Sequence, residues 1–433
     1  MQGCRAHPAK GGCAWPLAVS LLLTFLVSAP GALAQEESLN ISFGGLLDVR
    51  AIRTDRTQSW FDGGLGKTRY GGVDGERATL FRLAGASVLL TAATSEVLSA
   101  SVQVNIDAHP DNRSGRRPVD LATAIVSYRP ELSPHWRLRV RAGIMFPPVS
   151  LEHDGKAWST TRTITPSAAN SWMGEEVRTT GVEAALAWKK DQTDVSLVGS
   201  AFGGNDAAGT LLAFRGWSLH DRVSGYGDQL PLVALPVIQP DEEAPQAQWS
   251  QPFTEIDGRL GYYVGAQWKR DGVFNLNGLY YDNRGNENGF DGFQWAWKTT
   301  FANVGLRIHL PHGIEILAQH MWGRTSEIYY DGAAEVQAPF RTTFGMVSVP
   351  MGRSRVSLRY ETFAADSEGA SQLDPTDEQG RAWTAAYLLN IGASHRFALE
   401  LLRVVSDRPD RAVIGFPVHA VELAAQASFQ FHF

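Results

Sequence analysis

Beyond its first few dozen residues the chain has no cysteine, since Cys4 and Cys13 are the only two. That excludes a disulfide framework or a cysteine-ligated metal from everything downstream. No later window holds about 18 consecutive apolar residues, so no membrane-spanning helix is encoded. Positive charge is scarce. Without Arg5 and Lys10, 37 of the 39 basic side chains remain against 45 acidic ones, and no basic run occurs. Such a balance argues against a nucleic-acid partner. No Gly-x-Ser-x-Gly elbow is present. The adjacent groups Glu152-His153-Asp154 and His220-Asp221 specify neither a metal geometry nor a general base, and polar loop residues explain them. The acidic residues Asp374, Asp377 and Glu378 and the loop 282–292 bind calcium weakly at most. The sequence therefore assigns no catalytic residue, no metal site and no cofactor, and the expectation is of a protein that is not an enzyme.

What is present begins with a leader. Arg5, His7 and Lys10 precede an apolar run from Trp15 to Val27, broken by Pro30 and Gly31 and followed by Ala32-Leu33-Ala34 and Gln35. This pattern reads as a secretory signal peptide over 1–34, cleaved after Ala34. Neither cysteine sits at the cleavage point, which excludes a lipoprotein.

Residues 35–433 alternate. In 97–108, Leu98, Ala100, Val102, Val104 and Ile106 interleave with Ser99, Ser101, Gln103, Asn105 and Asp107. In 418–433, Val421, Leu423, Ala425, Ala427, Phe429, Phe431 and Phe433 fall on one face, with Glu422, Gln426, Ser428, Gln430 and His432 on the other. Successive strand side chains point to opposite faces, so one face is apolar and one polar. Sixteen such segments are expected: 39–53, 77–91, 97–108, 119–129, 135–145, 178–189, 193–204, 258–269, 272–282, 293–309, 313–324, 340–350, 353–363, 381–391, 395–405 and 418–433. Each is about long enough to cross a bilayer as a tilted strand. Their connections alternate between short and long, the long ones being 54–76, 109–118, 146–177, 205–257, 283–292, 325–339, 364–380 and 406–417. A β-sandwich also has many strands, but it has no reason to alternate its loop lengths. The reading is all-β: a transmembrane antiparallel up-and-down barrel of about 16 strands, with short periplasmic turns and long extracellular loops. Tyr128, Trp136, Trp188, Tyr262, Trp268, Trp295, Trp297 and Phe433 near strand ends suit a membrane interface.

A cylinder of this width is too broad for wall side chains to fill, so a wet interior and passage of solutes are expected. The phase of alternation turns Arg50, Arg82, Arg137, Arg139, Arg141, Arg307, Arg341 and Arg359 inward, with Asp48, Asp107, Glu183, Asp194, Glu315, Glu361, Glu400 and Glu422. Arg137, Arg139 and Arg141 form a ladder at roughly 6 to 7 Å spacing. Either it favours anions in the pore or Glu183 pairs with it and braces the wall. Pro147 and Pro148 end the fifth strand. The loop 146–177 is the candidate constriction, with Glu152, His153, Asp154, Lys156, Arg162, Glu175 and Glu176 setting its charge beside Arg178. The loop 205–257 carries Leu211, Leu212, Phe214, Trp217 and Leu219, which either form a short helix packed in the barrel mouth or meet a neighbouring subunit.

The stretch "RVRAGIMFPPVSLEHD" at 139–154 resembles the strand-to-loop motif of the phosphate-selective porin-like family of bacterial outer-membrane proteins. "TPSAANSWMGEEVRTTG" at 165–181 is similar to the segment that follows it. The final Phe433 after alternating aromatics resembles the signal read by the barrel assembly machinery. The resemblance implies a water-filled porin in the bacterial outer membrane, commonly a homotrimer, passing small hydrophilic and often anionic solutes by passive diffusion. It departs from the phosphate-specific members in having one arginine ladder and an acidic overall balance. The alternative is a non-conducting outer-membrane barrel acting in surface binding or assembly.

Overall fold

The computed structural model describes residues 39–107, 117–238, 246–291, 293–329, 334–366 and 377–433. The segment read as a signal peptide lies outside them, as does Asp374. Sixteen antiparallel strands close into one barrel, each paired with the next in chain order. They are β1 (Asn40–Arg53), β2 (Thr79–Ala93), β3 (Leu98–Ile106), β4 (Val119–Tyr128), β5 (Trp136–Met145) and β6 (Thr179–Lys190). Then follow β7 (Thr193–Gly203), β8 (Gly261–Arg270), β9 (Phe274–Asp282), β10 (Lys298–His309) and β11 (Glu315–Tyr329). The last are β12 (Ala334–Met351), β13 (Ser354–Ala365), β14 (Glu378–Ile391), β15 (His395–Asp407) and β16 (His419–His432).

The alternation decides which face meets lipid. In β16, Val421, Leu423, Phe429 and Phe431 are exposed on the outside, while Glu422, Gln426, Ser428 and Gln430 are buried inside. In β1, Ile41, Phe43, Leu47 and Val49 point out, and Asp48 and Arg50 point in. A slip of one residue would exchange the faces, so register is tightly specified. The two strands pair from Leu46↔His432 to Arg53↔Ala425, leaving no unpaired edge in the apolar layer. Phe433 continues the contact: its carbonyl accepts the Gly45 N–H at 3.0 Å and its ring lies 5.5 Å from Phe43. The exterior is closed and predominantly apolar, as a transmembrane barrel of the outer-membrane type requires.

Several expectations need correction. The stretch 325–339, read as a long loop, is mostly strand, because β11 runs on to Tyr329 and β12 begins at Ala334. Arg341 faces outward, beside Asp366 at 2.9 Å, opposite to the phase assigned to it. The tenth strand starts at Lys298, since Gln294–Trp295 folds back on Phe290–Asp291 as a separate ribbon. Trp295 and Trp297 are consequently buried in loop packing and take no part in the membrane interface. The interior is also not wet across its width, because two long loops fold into it.

The barrel wall is irregular at two places, between Asp48 and Val49 and between Gln103 and Val104. Each is a bulge that leaves one residue of the facing strand unpaired, Ala84 in β2 and Ala122 in β4. Bulges bend the strand and raise its twist. Both lie in the β1–β4 sector, where the interior stays open.

Candidate functional site

The loop 146–177 leaves β5 at Phe146 and crosses to the opposite wall. There Leu151 packs with Leu317, Phe344 and Met346. It returns through helix α1 (Ala168–Glu175), every residue of which is buried. Trp172 and Met173 of α1 lie in one apolar cluster with Trp217, Tyr263, Tyr281, Phe301, Phe340 and Phe363. Ring edges of Trp172 meet Phe301 and Phe340 at 5.5 and 5.3 Å. The loop 205–257 contributes helix α2 (Thr210–Phe214), in the barrel mouth, where Leu211 and Phe214 pack near Trp295 and Trp297. Trp217 donates its indole N–H to the Ala364 carbonyl at 2.9 Å.

Charged pins hold this packing to the wall. Arg359 on β13 bonds Glu361 at 3.0 Å, Glu152 at 2.9 Å and the carbonyls of Thr165 and Pro166. Glu361 accepts the Ala168 N–H at 2.8 Å, and Glu400 accepts those of Ile164 and Thr165 at 2.6 and 3.0 Å. Arg162 makes a forked pair with Glu315 at 2.9 and 3.0 Å and reaches Asp154 at 2.7 Å. Arg307 binds Asp154 at 3.0 Å and the Leu151 carbonyl. The two loops are pinned to each other by Arg215, forked on Glu175 at 2.9 and 2.5 Å, with His220 Nε2 at 3.0 Å from the same carboxylate. Arg178 is held between the rings of Phe146 and Phe253 at 4.7 and 4.5 Å.

Burial opposes ionisation at these carboxyls, but Arg215 and His220 outweigh it and hold Glu175 far below the usual range. Burial likewise opposes Arg359 at Glu152, and Arg359 with Asn170 and Ser167 wins. Glu176 has no such cation in contact. Burial pushes it up to about 7, against hydrogen bonds from Leu211 N–H at 3.0 Å and Trp172 Nε1 at 2.5 Å.

What stays open is a slot along β1–β4. Its wall side carries Asp48, Arg50, Ser87, Asn105, Asp107, Arg117 and Asp120, and its loop side carries His153, Trp158, Asp221, Arg222 and Asp228. With Arg69 added, four arginines face five aspartates around it. The slot has room for about 90 Å³ of water. A neighbouring cavity of about 840 Å³ shares Arg69 and Asp107 with it and adds Arg56, Tyr70 and Arg82. Asp221 reaches from the fourth long loop to Arg50 and to Arg69, the latter at 3.1 Å. Those two cations overcome burial and depress its carboxyl strongly. Arg222 bonds Asp228 at 2.6 Å, and the Gly227 N–H donates to Asp120 at 2.8 Å. On the other side Trp158 is stacked between Phe146 and His153, at 4.0 and 3.5 Å. Ala157 and Trp158 both hold positive φ, 53° and 57°, a conformation that side chains resist. Burial lowers His153 to about 4, so its imidazole is neutral.

The expected site residues separate accordingly. Arg50, Asp107 and His153 border the slot. Glu152, Asp154, Arg162, Glu175, Glu176, Arg307 and Arg359 sit in the packing of the far wall or between the loops. Lys156 lies low in the barrel, its ammonium on the Phe433 carbonyl at 2.9 Å. The ladder stands apart from the slot. Arg141 is forked on Glu183 at 2.8 and 2.7 Å, Arg139 reaches the same carboxylate at 3.4 Å, and Arg137 meets Glu131 at 3.7 Å. Glu183 also accepts the Tyr263 hydroxyl at 2.7 Å. Sequence reasoning missed Arg69, Arg117, Asp120, Arg222 and Asp228 as neighbours of Arg50, and it read Asp221 only as a partner of His220. All except Asp120 lie in or beside long connections, where no periodicity reports direction.

Among the described residues one carboxylate group has the spacing of a metal site: Asp206, Glu255 and Asp257, with candidate ligand atoms within 4.8 Å of one another. Each already accepts backbone N–H groups, Asp206 from Ile256, Glu255 from Gly204 and Gly258, and Asp257 from Arg259. They brace the root of the fourth long loop.

No family model matches the chain, and no curated protein sequence does. Solved structures are similar to it in fold. The outer-membrane channel DcaP of Acinetobacter baumannii superposes with a TM-score of 0.54 at 9% identity, over 93% of this chain and all of that one. The anion-selective porin from Comamonas acidovorans gives 0.49 at 10% identity, over 92% of this chain and all of that one. The chain thus shares the closed β-barrel fold of an outer-membrane channel. The resemblance to the phosphate-selective family rests on the two short motifs alone.

Proposed function

We propose that the protein is a porin of narrow bore, passing small hydrophilic solutes by passive diffusion along the β1–β4 slot. The single observation that carries this reading is the slot itself, a polar cleft bordered by arginines and aspartates beside an interior that loop packing and charged pins fill. A wall meant to be sealed would have continued the aromatic packing. Ion selectivity in this reading is set by Arg50, Arg69, Arg117 and Arg222 against their aspartate partners. The ladder at Arg137, Arg139 and Arg141 is a wall brace. No reaction is assigned to the chain. The working form is a homotrimer in outer-membrane lipid, inserted by the assembly machinery through a signal ending at Phe433, after removal of residues 1–34.

A second reading has its own support in the small volume of the slot: a barrel whose loops close it and whose surface binds a partner. Single-channel recording of the refolded protein in planar bilayers separates the two. Small, steady, ohmic openings are expected. Correctly folded barrels that never conduct would favour the closed, partner-binding form.

A further inference from the structure

The outside of the barrel is not uniformly apolar. On β11–β15, toward the long-loop rim, Arg324, Arg341, Arg381 and Arg403 all project from the lipid-facing side. Register places them together. Thr343 pairs with Thr362 and Thr362 with Arg381, while Tyr360 pairs with Trp383 and Trp383 with Arg403. The guanidinium carbons of Arg381 and Arg403 stand 5.4 and 5.2 Å from the ring centre of Trp383. Tyr360 lies 5.4 Å from the same ring. A groove running past Arg341, Tyr360, Thr362, Arg381 and Asp407 opens on this face.

The nearby carboxylates are already engaged, Asp366 by Arg341 at 2.9 Å and Asp407 by His419 at 2.7 Å. Arg324 donates to the Gln337 side chain at 3.2 Å. Among the described residues Arg381 and Arg403 have contacts with the Trp383 ring and no hydrogen-bond acceptor. Arg381 precedes Ile391, at the lower rim of β14, by ten positions. At about 3.3 Å per residue and a tilt near 40°, that is roughly 25 Å of height, the full thickness of the apolar band. Arg403, level with Trp383, lies about 5 Å deeper. Arg381 thus stands at the edge of the band, where a cation costs little, whereas Arg403 lies just inside it at a greater cost that snorkelling relieves in part. Beside and below them the same face is aliphatic, with Leu423 paired to Arg403 and Leu358, Leu399 and Leu401 exposed further down.

We propose that this patch binds a phosphate-bearing lipid of the outer leaflet. Its phosphates sit in the forks of Arg381 and Arg403, its headgroup lies against Trp383 and Tyr360, and its acyl chains run down the leucine face. The arginine fork matches phosphate oxygens two at a time, which a neutral or zwitterionic surface does not reproduce.

Native mass spectrometry of the full chain released from detergent micelles tests this, with diphosphoryl lipid A and the same lipid stripped of phosphate as probes. Wild type should retain one phosphorylated lipid per barrel and lose the stripped one. Retention should fall at least tenfold in the double variant Arg381→Ala, Arg403→Ala and be partly restored by Lys at both positions. Equal retention of both lipids by wild type overturns the proposal, and that arm needs no variant to fold. So does undiminished retention in the alanine variant. A change in subunit stoichiometry with lipid retention intact would overturn it too, by assigning the patch to a neighbouring copy.

Discussion

Along β1–β4 the inward positions include Asp48, Arg50, Ser87, Gln103, Asn105 and Asp120, whereas along β8–β15 they include Tyr263, Tyr281, Phe301, Phe340, Phe363, Leu402 and Val404. Outward positions are mostly apolar in both sectors, the arginines near the long-loop rim of β11–β15 excepted. In the first, each strand is apolar on one face, as a wall between lipid and water should be. In the second, aromatic and aliphatic residues also line the inner face, between the charged pins, as in a sheet covered on two sides. Lipid covers one face there and the chain's own loops cover the other. Inward-facing residues, rather than strand number, therefore decide how much of the barrel is pore.

The strongest way to break this contrast is to remove the packing. Changing Trp172 and Trp217 to Ala should cost about 3–5 kcal/mol per site and let the loops leave the wall. Conductance in planar bilayers should rise severalfold, whereas equal conductance would mean that the dry half does not limit flow.

A second test sharpens the contrast through pH. Burial raises Glu176 from its ordinary 4.5 to about 7, so the folded protein holds a proton there that the unfolded chain has lost. Its contribution is complete below the unfolded value and fades as pH rises through about 7, by about 3 kcal/mol in all. Glu176→Gln should remove that loss. The melting temperature of the variant, compared with wild type in detergent, should gain at pH 8 and not at pH 4.

The slot should respond more gently. Asp221→Asn frees Arg50 and Arg69 from their shared carboxylate, and the reversal potential in a salt gradient should move toward anions by about twofold in permeability ratio. The smallest effect is expected from Arg137, Arg139 and Arg141 together changed to Ala. Ladder and slot are separate, so selectivity should stay within error of wild type. A lost anion preference would return the ladder to the pore.

Sequence periodicity made the barrel readable because lipid imposes the same demand on every strand, and strands such as Leu98–Ile106 and His419–His432 state it without ambiguity. The wall residues Arg50 and Asp107 were readable for the same reason. The aromatic inward faces were visible too, since Tyr263 and Phe301 oppose outward Tyr262 and Ala302, but a strand apolar on both sides weakens the alternation instead of announcing a plug. The loop contributors to the slot were out of reach. Asp221 finds Arg50 across 171 residues of sequence, and nothing in its own neighbourhood encodes that meeting. Arg341 was misdirected because the strand was entered from a stretch taken for loop.

The pins on the third long loop have a consequence for the order in which the molecule can be made. Glu152 waits for Arg359, Ala168 for Glu361 and Ile164 for Glu400, partners separated by 207, 193 and 236 positions. The loop emerges during synthesis well before any of them. Until β13–β15 have joined the sheet these three pins have no partners, although Leu151 and Arg162 can already dock on β11 and β12. Narrowing of the channel is thus a late event, completed only as the cylinder closes, and contacts of such long sequence separation make that final step slow.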